Sequence, residues 1–281
     1  MGESIHRVIV DSRFKDRGGT NGNFSLKLSR GIHFGEETYA IVDDITISNT
    51  FYTISDANDS FYVAEHIGSS YVVRKCVASH GNKSGTTAVD AIVAALNVGT
   101  PVPLGTNPYS GVYTPDKGTS DITGSSVHGF CILSDDQIQN YEQMSGGIHI
   151  DKQNPRSGNG LLRNRSNNNL ASNPSDYDYS VVFTSGYMDL LPCHNCFIHS
   201  NLADNGVMGC TGVGDCICIV PVSASYGQTI HHNANSASSQ IDVSRRSFDT
   251  LTFQLKDAYG NILETNGTSW SCSISFVQKN I

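Results

Sequence analysis

Cysteine residues concentrate in one part of this sequence, where their spacing could hold a metal ion. Cys193-His-Asn-Cys196 has the two-residue gap of a zinc knuckle, and Cys210, Cys216 and Cys218 follow. A structural zinc site needs four ligands, commonly supplied as two such pairs. Cys216 and Cys218 have one residue between them, which on a strand directs both side chains to the same face. Two interpretations stay open: zinc bound by Cys193, Cys196, Cys210 and Cys216, or thiols packed as small hydrophobic groups. We favour the second and expect no metal and no cofactor.

The histidines and glycines match no common reaction site. His231 and His232 have no carboxylate at a spacing that would complete a ligand set, so a turn or a strand edge explains them more simply. The sequence has no GxSxG or HExxH motif, and no glycine-rich phosphate loop between a strand and a helix. We therefore predict that the protein is not an enzyme.

Composition restricts the function classes further. The 281 residues carry a formal net charge of −8, and only 16% of them are charged. A protein that coats nucleic acid needs basic patches to replace counterions, so direct nucleic-acid binding is disfavoured. No run of about 18 apolar residues predicts a membrane span, and the first residues lack the apolar core of a signal peptide.

Strands are the elements that must carry these side chains. In residues 247–278 two apolar sets alternate with polar residues, first Leu251, Phe253 and Leu255, then Trp270, Cys272, Ile274 and Phe276. This period of two predicts two strands, each with one face on a core. Glycine and asparagine between them favour turns, and we expect a hairpin that closes a β-sandwich.

The rest of the chain gives a similar picture. We predict one helix, over residues 86–96, from its alanine content and helically spaced apolar residues. Further strands are expected at residues 7–13, 24–28, 38–54, 61–67, 71–76, 127–133, 179–183, 195–201, 215–222 and 228–232. Of these segments, the clearly alternating or buried runs number roughly eight to ten, which predicts an all-β, single jelly-roll sandwich of about eight strands, with one short helix and long loop insertions. We expect one domain over residues 1–281, with a loop-rich insertion at 97–176.

Three blocks of this pattern, residues 7–54, 179–230 and 248–276, resemble a known family. They are similar to single jelly-roll penton (vertex) capsid proteins of tailless icosahedral double-stranded DNA viruses, namely polinton- and adintovirus-like elements, virophages and nucleocytoplasmic large DNA viruses. The residues in matching places are Asp11, Ser12, Arg13, Phe24, Tyr52, Leu255, Asp257, Gly260, Gly267 and Trp270. The blocks cover about half of the chain and leave out residues 97–176. Asp11-Ser12-Arg13 itself has two interpretations, a strand-end turn with a local ion pair or a contact between subunits.

The resemblance implies a structural virion protein that forms homopentamers at the five-fold vertices of an icosahedral capsid. Its implied partners are further copies of itself, the major capsid protein, and a host surface receptor or attachment fibre that exposed loops would reach. The implied location is the virion, after synthesis inside the host cell. Two alternatives remain open: a carbohydrate-binding jelly roll, such as a lectin or fibre attachment module, and a minor cement protein of the same capsid.

Overall fold

A computed structural model describes most of the chain. The described residues are 3–101, 113–116, 118–119, 121–124, 129–145, 157–162, 173–184, 188–191, 193–203, 214–234 and 240–279. The chain divides into two compact units. The first comprises Met1–Phe51 and Cys193–Ile281, and the second Tyr52–Pro192. The expected division, one domain with an insertion at 97–176, stays a prediction. The second unit covers a longer range than that insertion, from residue 52 to residue 192.

Nine strands build the first unit, counted over its described residues. They are β1 (Glu3–Asp11), β2 (Asn23–His33), β3 (Thr38–Ser48), β11 (Asn195–Ser200), β12 (Cys216–Pro221), β13 (Thr229–Asn233), β14 (Ile241–Asp242), β15 (Ser247–Lys256) and β16 (Trp270–Lys279). One sheet has the order β1-β16-β3-β13, with β14 also paired to β3, and the other has the order β12-β11-β15-β2. All pairings between these strands are antiparallel.

This strand order defines the architecture of the unit. If the short β14 is left out, the other eight strands can be renumbered one to eight along the chain. The strand orders of the two sheets are then 1-8-3-6 and 2-7-4-5. Two interlocked Greek keys of this kind form a jelly roll. The predicted fold class is therefore confirmed, and the chain between the third and fourth jelly-roll strands is the second unit.

The prediction that the last two strands, β15 and β16, form a closing hairpin is wrong. Strand β15 pairs with β2 and β11, whereas β16 pairs with β1 and β3, so the last two strands belong to opposite sheets. Alternation identifies the face of a strand that meets the core but not the sheet to which the strand belongs. The two apolar faces meet across the core, where the rings of Phe253 and Trp270 lie 6.3 Å apart.

The second unit is a mixed α/β structure with its own core. Its described elements are β4 (Ser60–Ile67), β5 (Ser70–Val77), α1 (Gly85–Val98), β6 (Thr100–Pro101), β7 (Tyr113–Pro115), β8 (Ile122–Gly124), β9 (Phe130–Ile132), α2 (Asp135–Ser145), α3 (Asn159–Leu162) and β10 (Val182–Phe183). The strands form two sheets, ordered β6-β5-β4-β9 and β10-β8-β7. The main core of the unit includes Ile54, Phe61, Ile92, Leu96 and Phe130.

Some elements differ from the sequence expectation. Helix α1 begins at a capping box in which Ser84 and Thr87 bond each other's backbone N–H groups. Helices α2 and α3 were not predicted, although Ser134 and Gln137 form a similar reciprocal pair at the start of α2. The strand expected at residues 179–183 is reduced to two residues, and that expected at 38–54 ends at Ser48.

A buried ion pair links β4 and β5 to the end of α1. Arg74 donates to both carboxylate oxygens of Glu65, at 2.8 and 2.6 Å, although both residues are almost fully buried. The guanidinium also donates to the carbonyls of Leu96 and Gly99, at 2.8 and 3.0 Å, where α1 leaves acceptors free. Tyr113 donates its hydroxyl to Glu65. Burial acts to lower the pKa of Arg74, but the hydrogen bonds and charge of Glu65 outweigh it and raise that pKa.

No helix in the described residues is long and apolar enough to span a membrane.

Candidate functional site at the loop end of the jelly roll

Asp11 and Arg13 form a compact turn at the end of β1. The Asp11 carboxylate accepts from the Arg13 backbone N–H at 2.9 Å and caps a 3-10 helix over Ser12–Phe14. It also accepts from the Arg13 guanidinium, at 3.0 Å from Nε and 2.6 Å from Nη2. These hydrogen bonds, opposed by partial burial, hold the pKa of Asp11 below its usual value. The expected turn with a local ion pair is present, while the Arg13 side chain is 69% exposed.

Ser12 connects this turn to the start of the last strand. The side chain is fully buried, and its hydroxyl accepts a hydrogen bond of 3.0 Å from the backbone N–H of Trp270. The Trp270 indole N–H in turn donates to the carbonyl of Asn21 at 2.7 Å. Its ring meets Phe24 edge-on, with centroids 5.5 Å apart. Residues from the two ends of the resemblance therefore lie in one cluster.

Asn21 continues the network between two loops. Its side-chain amide donates to the carbonyls of Thr268 and Gly267, at 2.8 and 3.2 Å, and its side-chain oxygen accepts from Lys15 Nζ at 2.8 Å. Lys15 also donates to the Ser12 carbonyl at 3.2 Å. The side chain of Asn21 thus ties the loop after β1 to the loop before β16.

The end of β3 enters the same network. The Thr50 hydroxyl donates to the carbonyl of Thr265 at 2.7 Å and lies 2.9 Å from the Thr268 hydroxyl. Asn266 donates its side-chain amide to the Thr50 carbonyl. Asn266 and Gly267 both have positive φ, 49° and 81°, as the Asn-Gly turn signal predicts. The carbonyls of Thr265, Gly267 and Thr268 accept hydrogen bonds from side chains, which fixes the conformation of this loop.

The other residues of the resemblance are structural or lie elsewhere. Leu255 is fully buried in the core of the first unit. Asp257 organises the turn after β15, where its carboxylate accepts from the backbone N–H groups of Tyr259 and Asn261 at 2.9 Å, and Gly260 adopts a φ of 89°. Tyr52 begins the second unit and its side chain is exposed.

The cysteines were the first candidate metal ligands. Cys193 and Cys196 are both buried free thiols, and the hydrogen bond between them, together with burial, raises the pKa of Cys196. Burial also raises the pKa of Cys216 and Cys218. A higher pKa keeps a thiol protonated, whereas zinc binds the thiolate. Cys210 lies outside the described residues, so a four-cysteine site stays untested.

A different set of metal-type ligands lies in the second unit. One ligand atom from each of Asp56, Asp59 and His80 falls within 4.8 Å of the others. His80 Nε2 is 2.7 Å from Asp59 and 3.4 Å from Asp56. A histidine between two carboxylates forms ion pairs when protonated, and this accounts for the arrangement without an ion.

A small polar pocket opens beside the loop network. It has a volume of about 220 Å³. Its lining residues are Lys15, Thr20, Asn21, Gly22, Leu263, Glu264, Thr265 and Gly267. None of them is aromatic, so the pocket offers no stacking surface for a sugar ring.

Sequence reasoning missed the residues that join the loops. Nearly all the hydrogen bonds of Asn21, Thr265 and Thr268 have a backbone carbonyl as the acceptor, and nothing in the spacing of these residues identifies them. It also missed the Glu65–Arg74 pair. Here a signal existed, because Glu65 follows Phe61 and Val63 at a spacing of two and so shares their buried face.

Two solved structures resemble this fold over nearly its whole length. The mavirus penton protein matches with a TM-score of 0.49 at 13% identity, covering 98% of this chain and 99% of that one. A chain from the structure of the Sputnik virophage matches with a TM-score of 0.44 at 13% identity, covering 99% and 98%. No family model and no curated protein sequence matches the chain.

Proposed function

We propose that this chain is a structural capsid protein, the penton of an icosahedral double-stranded DNA virus, and that it assembles into homopentamers at the five-fold vertices. Its location is the virion, and its role is mechanical rather than catalytic. The direct partners are four further copies of itself and the major capsid protein around the vertex. Host attachment, through a receptor or a fibre, falls to exposed loops.

One observation carries this proposal. The sequence resemblance to pentons rests on separate blocks, and residues from the first and last of them meet in a single network. Ser12 accepts from the backbone of Trp270, and Phe24 contacts the same indole ring. Chance similarity between short motifs gives no reason for them to converge in space. The jelly-roll strand order supports the proposal as well, because this sandwich is common in viral capsids.

The geometry of a closed ring explains how such a unit would work. Five copies related by rotation use one pair of complementary surfaces five times, so the ring closes without free interfaces. The jelly roll supplies a rigid body, since its core is filled by interlocked aromatic and aliphatic side chains. The net charge of −8 favours contacts with protein rather than with packaged DNA.

Sedimentation of the purified protein tests the pentamer. One chain weighs 30.3 kDa, so five copies weigh 151.5 kDa. We expect a species of that mass and ring-shaped particles by electron microscopy. A monomer at every concentration would overturn the homopentamer. Labelling the chain in virions then separates a vertex protein, found at five-fold positions, from a cement protein, found between capsomers.

A second candidate function is carbohydrate binding at the polar pocket beside Lys15 and Glu264. The observation that favours it is a concave site with several hydrogen-bonding groups. A glycan array tests it, with Glu264→Ala as the variant that should abolish any signal. We rank it second because the pocket is small and lacks an aromatic platform.

A further inference from the structure

The outward face of β1 and the turn that follows it carry three large apolar side chains in solvent. Ile5 is 61% exposed, Ile9 75% and Phe14 77%. Ile5 and Ile9 alternate with Val8, which is half-buried, and Val10, which is buried, so they point away from the sandwich. In the described part of the chain β1 pairs only with β16 and ends its sheet. Apolar groups gathered at an open sheet edge indicate a surface that a partner covers.

A second exposed apolar set lies on the last strand of the other sheet. Ile219 on β12 is 47% exposed, and Tyr226, in the turn after β12, is 42% exposed. Ile219 pairs with Phe197 on β11, and the open side of β12 has no strand partner among the described residues.

These two sets lie on opposite flanks of the sandwich. Phe24 on β2 contacts Trp270 on β16, so β2 lies over β16 and beside β1. Strands β1 and β2 therefore form one side, which we call the first flank. Strands β12 and β13 end their sheets at the other side, the second flank.

The flanks also differ in charge. Residues 3–33, which form the first flank, contain six lysines and arginines against three acidic residues, a net charge of +3. Residues 195–242, which run from β11 to β14, contain three aspartates and no lysine or arginine, a net charge of −3. Asp215 and Asp242 are two of the three, and Asp204 lies outside the described residues. Opposite charge on surfaces that also expose apolar groups favours contact between them.

We propose that the first flank of one copy binds the second flank of the next, with Ile5, Ile9 and Phe14 packing against the surface around Ile219 and Tyr226. The partner is a second copy of this chain, since both complementary surfaces belong to the same molecule. Contact between two different surfaces is heterologous and closes into a ring when the rotation fits. This inference rests on the proposed homopentamer and specifies the interface that builds it.

The test uses one charged substitution on each flank. Ile9→Asp disables the first flank and Ile219→Asp the second, because each places a charge in a desolvated apolar contact. Val77→Asp is the matched control, since Val77 is a strand residue of the second unit and is 52% exposed. We expect the wild type and the control to sediment as pentamers and the two flank variants as monomers. Circular dichroism checks that all four chains fold.

Mixing the two flank variants gives the decisive result. The Ile219→Asp chain keeps an intact first flank and the Ile9→Asp chain an intact second flank, so the mixture should form a heterodimer of about twice 30.3 kDa and nothing larger. Native mass spectrometry at high protein concentration reads this directly. A mixture that stays monomeric overturns the head-to-tail contact. Pentamers from either variant alone overturn the flank assignment and leave the proposed function standing, whereas a monomeric wild type overturns the pentamer itself.

Discussion

Replacing Arg74 by methionine should strongly destabilise the second unit. Methionine keeps the length and apolar stem of the side chain but removes its charge and all of its donors. The carboxylate of Glu65 then loses its two hydrogen bonds from the guanidinium, and the carbonyls of Leu96 and Gly99 lose theirs. All of this happens where Glu65 is fully buried.

The size of the effect follows from what is left behind. Removing one partner of a buried ion pair lowers the free energy of unfolding by roughly 3–5 kcal/mol, because the remaining charge has neither a partner nor water around it. We expect a loss of about 4 kcal/mol in the free energy of unfolding at pH 7. The double variant Glu65→Gln, Arg74→Met removes the stranded charge, and the Tyr113 hydroxyl can still donate to the new amide oxygen. It should recover about half of that loss, since a neutral polar group costs less to bury than a charge.

The pH dependence provides an independent check. In the Arg74→Met chain the buried carboxyl must be protonated to fold, whereas in the unfolded chain it ionises above its ordinary value of about 4.3. The unfolded state then binds fewer protons than the folded state, so stability falls as pH rises, by up to about 1.4 kcal/mol per pH unit. The variant should therefore lose less stability at pH 5 than at pH 7. The double variant lacks this carboxyl and should show no such difference.

Urea denaturation at pH 5 and pH 7, followed by far-UV circular dichroism, measures these quantities. Lys75→Met is the matched control, because Lys75 is the next residue on β5 and is exposed. Hydrogen exchange at the end of α1 locates the damage, since Arg74 bonds the carbonyls there. If Arg74→Met is as stable as Lys75→Met, or if Arg74→Met is destabilised equally at pH 5 and pH 7, the ion pair does not hold this region.

Three further predictions concern the loop end of the jelly roll. Ser12→Ala leaves the backbone N–H of Trp270 buried without an acceptor, so urea denaturation followed by the fluorescence of this single tryptophan should show a loss of about 1–3 kcal/mol; an unchanged midpoint would refute the bond. Asp11→Ala should cost about 1 kcal/mol and Asp11→Asn less, because asparagine keeps the capping oxygen. The low pKa of Asp11 beside Arg13 means that this stabilisation is complete above about pH 4 and is lost as pH falls further, and equal stability of wild type and Asp11→Ala at pH 6 would contradict it. Gly267→Ala should cost about 1 kcal/mol from positive φ alone, since no atom lies within 4 Å of the added Cβ; thermal unfolding measures it, and no change would mean that the turn rearranges freely.

Most strands could be predicted from the sequence because their signal is local. Alternating burial over residues 251–256 and 270–274 follows from residue types alone. Sheet membership could not be predicted, because it depends on pairings between distant segments, such as β1 with β16. Helix α2 was missed because its overall polarity masked the capping signal of Ser134 and Gln137. Its apolar contact to the core is confined mainly to Ile138.

The site was predictable as a set of residues and not as an arrangement. Family resemblance selected Ser12 and Trp270, but their hydrogen bond joins a side chain to a backbone N–H, and backbone groups are common to every residue. Asn21 was not selected, although it bonds both loops, because an asparagine in a glycine-rich loop is typical of any turn. Side chains that act together can be recognised from their types and spacing in the sequence, whereas hydrogen bonds to the backbone of a distant loop cannot.

The two interpretations of Asp11-Ser12-Arg13, a strand-end turn and a contact between subunits, are compatible with each other. Ser12 is fully buried and cannot touch a neighbouring chain, yet its bond to Trp270 fixes the point where β1 ends. Phe14 leaves the sandwich two residues later, with its ring in solvent. The turn that Asp11 caps therefore sets the direction of the apolar side chain that the flank contact uses. A residue of this kind positions an interface without belonging to it, so Ser12→Ala should weaken assembly as well as folding, while a flank substitution such as Ile9→Asp should weaken assembly alone.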